Sequence, residues 1–76
     1  MVSGCILVCC ETGLFPDVAK NIQMLEGVVV AFSASGRWDV ITQIEVADMK
    51  ALSGLVLKIN GLPGVRATET LVEWGG

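Results

Sequence analysis

The chain has no histidine, no tyrosine and only five basic residues in 76. Without histidine the commonest general base is gone, and Ser33, Ser35 and Ser53 have no base to activate them. No Walker-type or dinucleotide glycine fingerprint occurs. No pair of carboxylates has a spacing that demands acid–base work. Asp17, Glu26 and Asp48 read as helix-end or surface charges, where carboxylates sit comfortably. No set of residues fills the roles of nucleophile, base and oxyanion stabiliser, so the sequence reads as a non-enzyme that calls for no cofactor.

The scarcity of positive charge excludes more. Lys20, Arg37, Lys50, Lys58 and Arg66 are scattered, and the net charge is −3. Neither a basic stripe nor a basic patch forms, which argues against direct nucleic-acid binding. No apolar run reaches the roughly 18–20 residues of a membrane span. Residues 1–10 are apolar but lack a basic leader, so they read as a first strand rather than a signal peptide. Cys5, Cys9 and Cys10 are odd in number and crowded, which is no disulfide framework. With neither histidine nor a CxxC spacing, a zinc site has little support. The three thiols read as small buried residues of a reduced, cytoplasmic protein.

What is present is apolar. Hydrophobic residues make up 53% and charged residues 17%, against a usual ~25% charged. A chain of this length is one domain, 1–76, and small domains bury only about 60–65% of their unfolded surface. The excess apolar material therefore predicts a buried subunit interface.

The chain also repeats itself. Leu25-Glu26-Gly27-Val28 returns as Leu62-Pro63-Gly64-Val65, 37 residues on. Each copy closes a helix-like run and opens a valine-rich one, so the chain reads as two copies of one small unit. Residues 2–10 read as a strand buried on both faces. Phe15, Val18, Ala19, Ile22 and Leu25 recur at helical spacing, with Pro16 in the first turn and Gly27 as the stop. Val28–Phe32 is a second strand, and 33–36 is turn chemistry. From Trp38 to Val46 the pattern alternates, a third strand. Asp48 reads as the N-cap of a helix carrying Met49, Leu52, Leu55, Val56 and Ile59, ended by Asn60-Gly61. Val65–Trp74 is the last strand.

The order β-α-β-β-α-β predicts a ferredoxin-like α+β sandwich, a four-stranded antiparallel sheet with both helices on one face. The other face would meet water unless a second sheet covers it, so sheet-to-sheet dimerisation is expected.

One segment stands out chemically. In Gly36-Arg37-Trp38-Asp39 the glycine permits a tight turn and leaves its N–H reachable. An arginine can clamp a carboxylate with two parallel hydrogen bonds. Trp38 supplies an apolar wall, and Asp39 can receive an ammonium group. Together they suit a small zwitterion; the plain alternative is a hairpin with an exposed arginine and a core tryptophan. Thr68 and Thr70 share one face of the last strand, as ligand-binding hydroxyls or as ordinary strand formers.

Gly36-Arg37-Trp38-Asp39-Val40-Ile41, then a helix, then Leu62-Pro63-Gly64-Val65 and Thr68-Glu69-Thr70-Leu71, resembles the ligand-binding domain of Lrp/AsnC regulators, called RAM, for regulation of amino-acid metabolism. The resemblance runs from the first strand to Trp74. It implies a sandwich that dimerises through its sheets, and dimers that assemble into rings, commonly octamers. It implies an amino-acid effector bound between dimers, with Gly36, Arg37, Trp38 and Asp39 lining the pocket and Thr68 and Thr70 contributing. The chain is expected to depart from full-length regulators in carrying no DNA-binding domain. It is then expected to act as a stand-alone sensor, or to join a full-length Lrp/AsnC regulator and alter its assembly. Two other readings share the fold. One is a protein-interaction or chaperone-like module that binds peptides by strand addition. The other is a dimeric monooxygenase, which needs ionisable cavity residues that this chain hardly offers.

Overall fold

In a computed structural model, described over residues 1–73, β1 (Val2–Cys10), α1 (Phe15–Gln23), β2 (Val28–Ser33), β3 (Val40–Val46), α2 (Met49–Asn60) and β4 (Val65–Val72) follow in the expected order. The strands form one antiparallel sheet in the order β2-β3-β1-β4. Trp74, the expected end of the last strand, lies outside the described residues.

Strand alternation decides what the sheet buries. Ile6, Val8 and Cys10 of β1 and Val40, Ile44 and Val46 of β3 point inward. They meet Val18 and Ile22 of α1 and Leu52, Leu55 and Ile59 of α2 in a single core. Thr42 shares that inward face and is fully buried, with no hydrogen-bond partner for its hydroxyl. At roughly 25 cal/mol per Å² this shared apolar burial is the main term holding helices to sheet.

The opposite face carries no helix. Its rows follow from the register: Glu45 beside Ser3, Gln43 beside Cys5 and Leu71, and Phe32 beside Ile41, Leu7 and Glu69. β1 is thus buried on its inner face only, whereas the sequence predicts burial on both. Cys5, Leu7 and Cys9 are half-buried, because no helix among the described residues lies over them.

The repeat marks two equivalent corners. Gly27 and Gly64 have φ of 97° and 90°, in the left-handed region where only glycine is unstrained. Val28 N–H donates to Leu25 O, and Val65 N–H to Leu62 O, both at 3.3 Å. Each corner docks on the other half of the molecule. Gly27 O accepts from Glu45 N–H at 2.8 Å, and Gly64 O accepts from Glu11 N–H at 2.7 Å. A Cβ on Gly27 would meet Val46 Cγ1 at 2.8 Å; one on Gly64 would meet Val18 Cγ2 at 3.1 Å.

Helix ends differ in part from expectation. Asp48 caps α2 as predicted, accepting from Ala51 N–H at 2.8 Å. Helix α1 stops at Gln23, four residues before Gly27. Met24 and Leu25 instead donate to Asn21 and Ile22, tightening the last turn. Gly27 is spent on the corner, not on the cap.

Candidate functional site

The turn between β2 and β3 is fixed by three backbone-anchored bonds. Ala34 N–H donates to Asp39 O at 2.9 Å and closes the loop. Asp39 N–H donates to Val8 O at 2.9 Å. Asp39 Oδ2 accepts from Cys10 N–H at 2.8 Å. That last bond has a clear cause. Between Cys9 and Cys10 the β1–β4 register shifts, Cys9 pairing with Ala67 and Cys10 with Val65, so Arg66 is the extra residue of a bulge. The Cys10 N–H next to that bulge takes a carboxylate as acceptor, which leaves Oδ1 as the second carboxylate oxygen.

Gly36 has φ 125° and nothing within 4 Å of where a Cβ would stand. It is glycine for its backbone angle alone, and the space beside it is open. Arg37 is exposed, Trp38 is half-buried, and both lie before β3 begins at Val40. Trp38 is therefore a loop residue, where the sequence pattern extends the third strand through it. The Cys10 thiol is pushed above its ordinary value, first by burial, then by the negative charge of Asp39 and by Cys9. The three cysteines are free, and no cluster among the described residues could hold a metal ion.

Thr68 and Thr70 pair with Val8 and Ile6, so they share the helix-covered face, as the sequence suggests for the pair. Thr68 Oγ1 donates to Asn60 Oδ1 at 2.9 Å. Sequence reading takes Asn60 only as a helix stop; the interaction spans the α2–β4 corner and no local pattern announces it.

The turn and the threonines sit at comparable heights, since Val40, Val8 and Thr68 form one row. They are nevertheless two strands apart, roughly 10 Å at the usual strand spacing. One chain does not bring them into one pocket. Neither of two grooves on the surface includes them. The first, about 460 Å³, lies on the open face near Ser3, Glu45 and Glu73. The second, about 440 Å³, lies between the Gly27 corner and α2, with Glu26, Glu45 and Lys58 at its rim.

One feature lay outside the sequence reading altogether. Gln23 Oε1 accepts from Ala31 N–H at 2.7 Å, and Gln23 Nε2 donates to Val29 O at 3.5 Å. The side-chain amide stands in for a neighbouring strand on the free edge of β2. That guards the edge against pairing with another chain.

A family model described as the Lrp/AsnC ligand binding domain matches residues 3–73. The HTH-type transcriptional regulator FL11 of Pyrococcus abyssi is 25% identical over 67 residues, 88% of this chain and 44% of the regulator. The chain thus spans less than half the length of that relative. Homocitrate synthase of Sulfolobus acidocaldarius is 27% identical over 70 residues, which are 15% of the enzyme. A crystal structure of a Thermus thermophilus protein superposes with a TM-score of 0.94 at 25% identity, covering 100% of this chain and 96% of that one. A Neisseria meningitidis transcriptional regulator in complex with L-Met has the same fold, with a TM-score of 0.86 at 22% identity over 97% of this chain and 50% of the regulator. No helix among the described residues is long and apolar enough to cross a membrane.

Proposed function

The chain belongs to the Lrp/AsnC ligand-binding domain family, and from that premise we propose that it is an amino-acid-binding regulatory module. It acts as an oligomeric sensor, or as a modulator of a full-length regulator of the same family. The observation that carries this reading is the turn at 36–39. It is anchored from behind, open in front of Gly36, and offers an arginine fork, an indole wall and a free carboxylate oxygen. A zwitterion needs those three chemistries: a bidentate cation for its carboxylate, an acceptor for its ammonium and an apolar surface for its side chain.

Because Thr68 and Thr70 stand two strands away, the second half of the pocket is supplied by another copy. Assembly supplies that copy. The open sheet faces of two family chains pair, and the pairs form a ring in which one chain's turn meets its neighbour's threonines. The L-Met-bound Neisseria regulator supports an amino acid as the class of effector. Full-length relatives support a role in transcription exerted through a partner chain, with no direct contact of this module to nucleic acid. Strand addition, the rival reading, is weakened at β2, where Gln23 already occupies the edge.

The test is a thermal-shift screen of the twenty amino acids on the assembled protein. A true effector at 100 times its Kd adds about 2.7 kcal/mol. Arg37→Ala abolishes that gain while leaving the unliganded Tm unchanged. If no amino acid shifts the wild type, the effector reading fails.

A further inference from the structure

Thr68 and Thr70 share a face of β4, but their hydroxyls are not equivalent. Thr68 Oγ1 donates to Asn60 Oδ1 at 2.9 Å, across the α2–β4 corner. A threonine hydroxyl has one proton and two lone pairs. With its proton given to Asn60, Thr68 has only lone pairs left to offer, and a hydroxyl that donates becomes a better acceptor. Thr70 makes no side-chain hydrogen bond among the described residues, so its hydroxyl keeps both capacities. Thr68 is half-buried and Asn60 exposed, which leaves the pair open to a ligand. Asn60 is also the last residue of the 12-residue helix α2, and a helix C-terminus carries the negative pole of its dipole. Lys58 stands roughly 200° round that helix, in the groove with Glu26.

We infer that Asn60 is a positioning residue of the proposed site: it takes the Thr68 proton and so presents that hydroxyl as an acceptor for the effector's ammonium group. The inference rests on the amino-acid-binding reading above and assigns one end of the ligand to one threonine. An ammonium brings three N–H donors and no acceptor. The free oxygen of Asp39 in one copy takes one of them, and Thr68 Oγ1 of the neighbouring copy takes a second. A carboxylate, which only accepts, finds no donor on Thr68 and falls to Arg37 or Thr70. Asn60 thereby sets which way round the amino acid lies, without having to touch it.

Titration calorimetry on the assembled protein tests this. The probes are the amino acid that stabilises the protein most in the screen and the matching 2-hydroxy acid, in which a hydroxyl replaces the ammonium. The readout is the ratio of the two dissociation constants. Thr68→Val is expected to lower the preference for the amino acid about tenfold, the scale of one hydrogen bond to a charged group. Asn60→Ala lowers it roughly fivefold, because the hydroxyl is then free to turn its proton toward the ligand. Asn60→Asp keeps an acceptor for that proton and keeps the preference. Adding Asn60→Ala to Thr68→Val changes the ratio no further, since Asn60 acts through Thr68. Circular dichroism checks that each variant folds; Asn60→Gly, which suits a helix end, replaces the alanine variant if that one does not. An unchanged ratio in Asn60→Ala, whether or not both ligands bind more weakly, leaves Asn60 a structural clip. That overturns the inference while amino-acid binding stands. A ratio that falls as far in Asn60→Asp assigns the effect to the lost Nδ2 amide and overturns it as well. If no amino acid binds the wild type, the functional reading fails and the inference with it.

Discussion

At the scale of single residues, Asp39 is the instructive case. Its chemistry suits an ammonium group, yet one of its oxygens already holds Cys10 N–H. Asp39→Ala leaves that amide without its acceptor and is expected to cost about 1–3 kcal/mol. Asp39→Asn keeps an acceptor and costs less. Denaturant unfolding of the two variants separates anchor from ligand receptor. If Asp39→Ala is as stable as the wild type, the anchoring role is wrong. Thr42 gives a change of opposite sign. Its hydroxyl is buried without a partner, so Thr42→Val is expected to stabilise by about 1 kcal/mol. A loss of stability there would mean that the hydroxyl has a partner in solution. Cys10 adds a pH dependence. Its folded pKa is raised above the ordinary 9.0 by burial, by Asp39 and by Cys9. The folded chain then holds the proton more tightly than the unfolded chain does. The stabilisation is complete below pH 9 and is lost as pH rises through the folded value. Stability measured from pH 8 to 11 should fall less steeply in Cys10→Ala than in the wild type. The chemistry of the turn was legible because Gly, Arg, Trp and Asp each have a narrow repertoire. The Cys10 bond was not, because it joins residues 29 apart through a backbone group at a bulge.

At the scale of elements, periodicity carried nearly everything. β3 alternates, and its inward positions Val40, Thr42, Ile44 and Val46 are the buried ones. Helix α2 places Leu52, Leu55 and Ile59 in the core, while Met49 stays exposed at its first turn. What the pattern misread were ends. Trp38 continues the alternation of β3, but the chain needs 34–39 as a loop so that Asp39 reaches β1. Gly27 looks like a helix stop, but tertiary contact with Val46 and Leu55 decides its use. Those contacts predict a ranking within the repeat. Gly27→Ala and Gly64→Ala both force alanine into the left-handed region, a strain on the order of 1–3 kcal/mol. Gly27→Ala also meets Val46 more closely than Gly64→Ala meets Val18, and should be the more damaging by thermal unfolding. Equal losses would show that backbone strain dominates and that the packing at the two corners is equally soft. Gln23 is the other element-scale device. Its amide is useful only because β2 is an edge, which no local window reveals.

For the whole molecule, part of the sequence's excess of apolar residues lies on the sheet face without helices, where Phe32 and Leu71 are exposed, while Phe15, Met24, Met49 and Leu57 are exposed on and beside the helices. The same picture explains why the expected ligand residues look incomplete. Asp39 of the turn is anchored to β1 and Thr68 to Asn60, but the turn and the two threonines stand two strands apart. On the proposed function, a single chain carries the two halves of the site apart, and assembly joins one chain's turn to another's threonines. The measurement that bears on this most directly is a crystal structure of the assembled chain grown with the amino acid that stabilises it most. The account predicts density for that amino acid at Gly36–Asp39, its carboxylate on Arg37, closed by Thr68 or Thr70 of a neighbouring copy. An empty turn, with the amino acid instead in the groove beside Glu26 and Lys58, would contradict it.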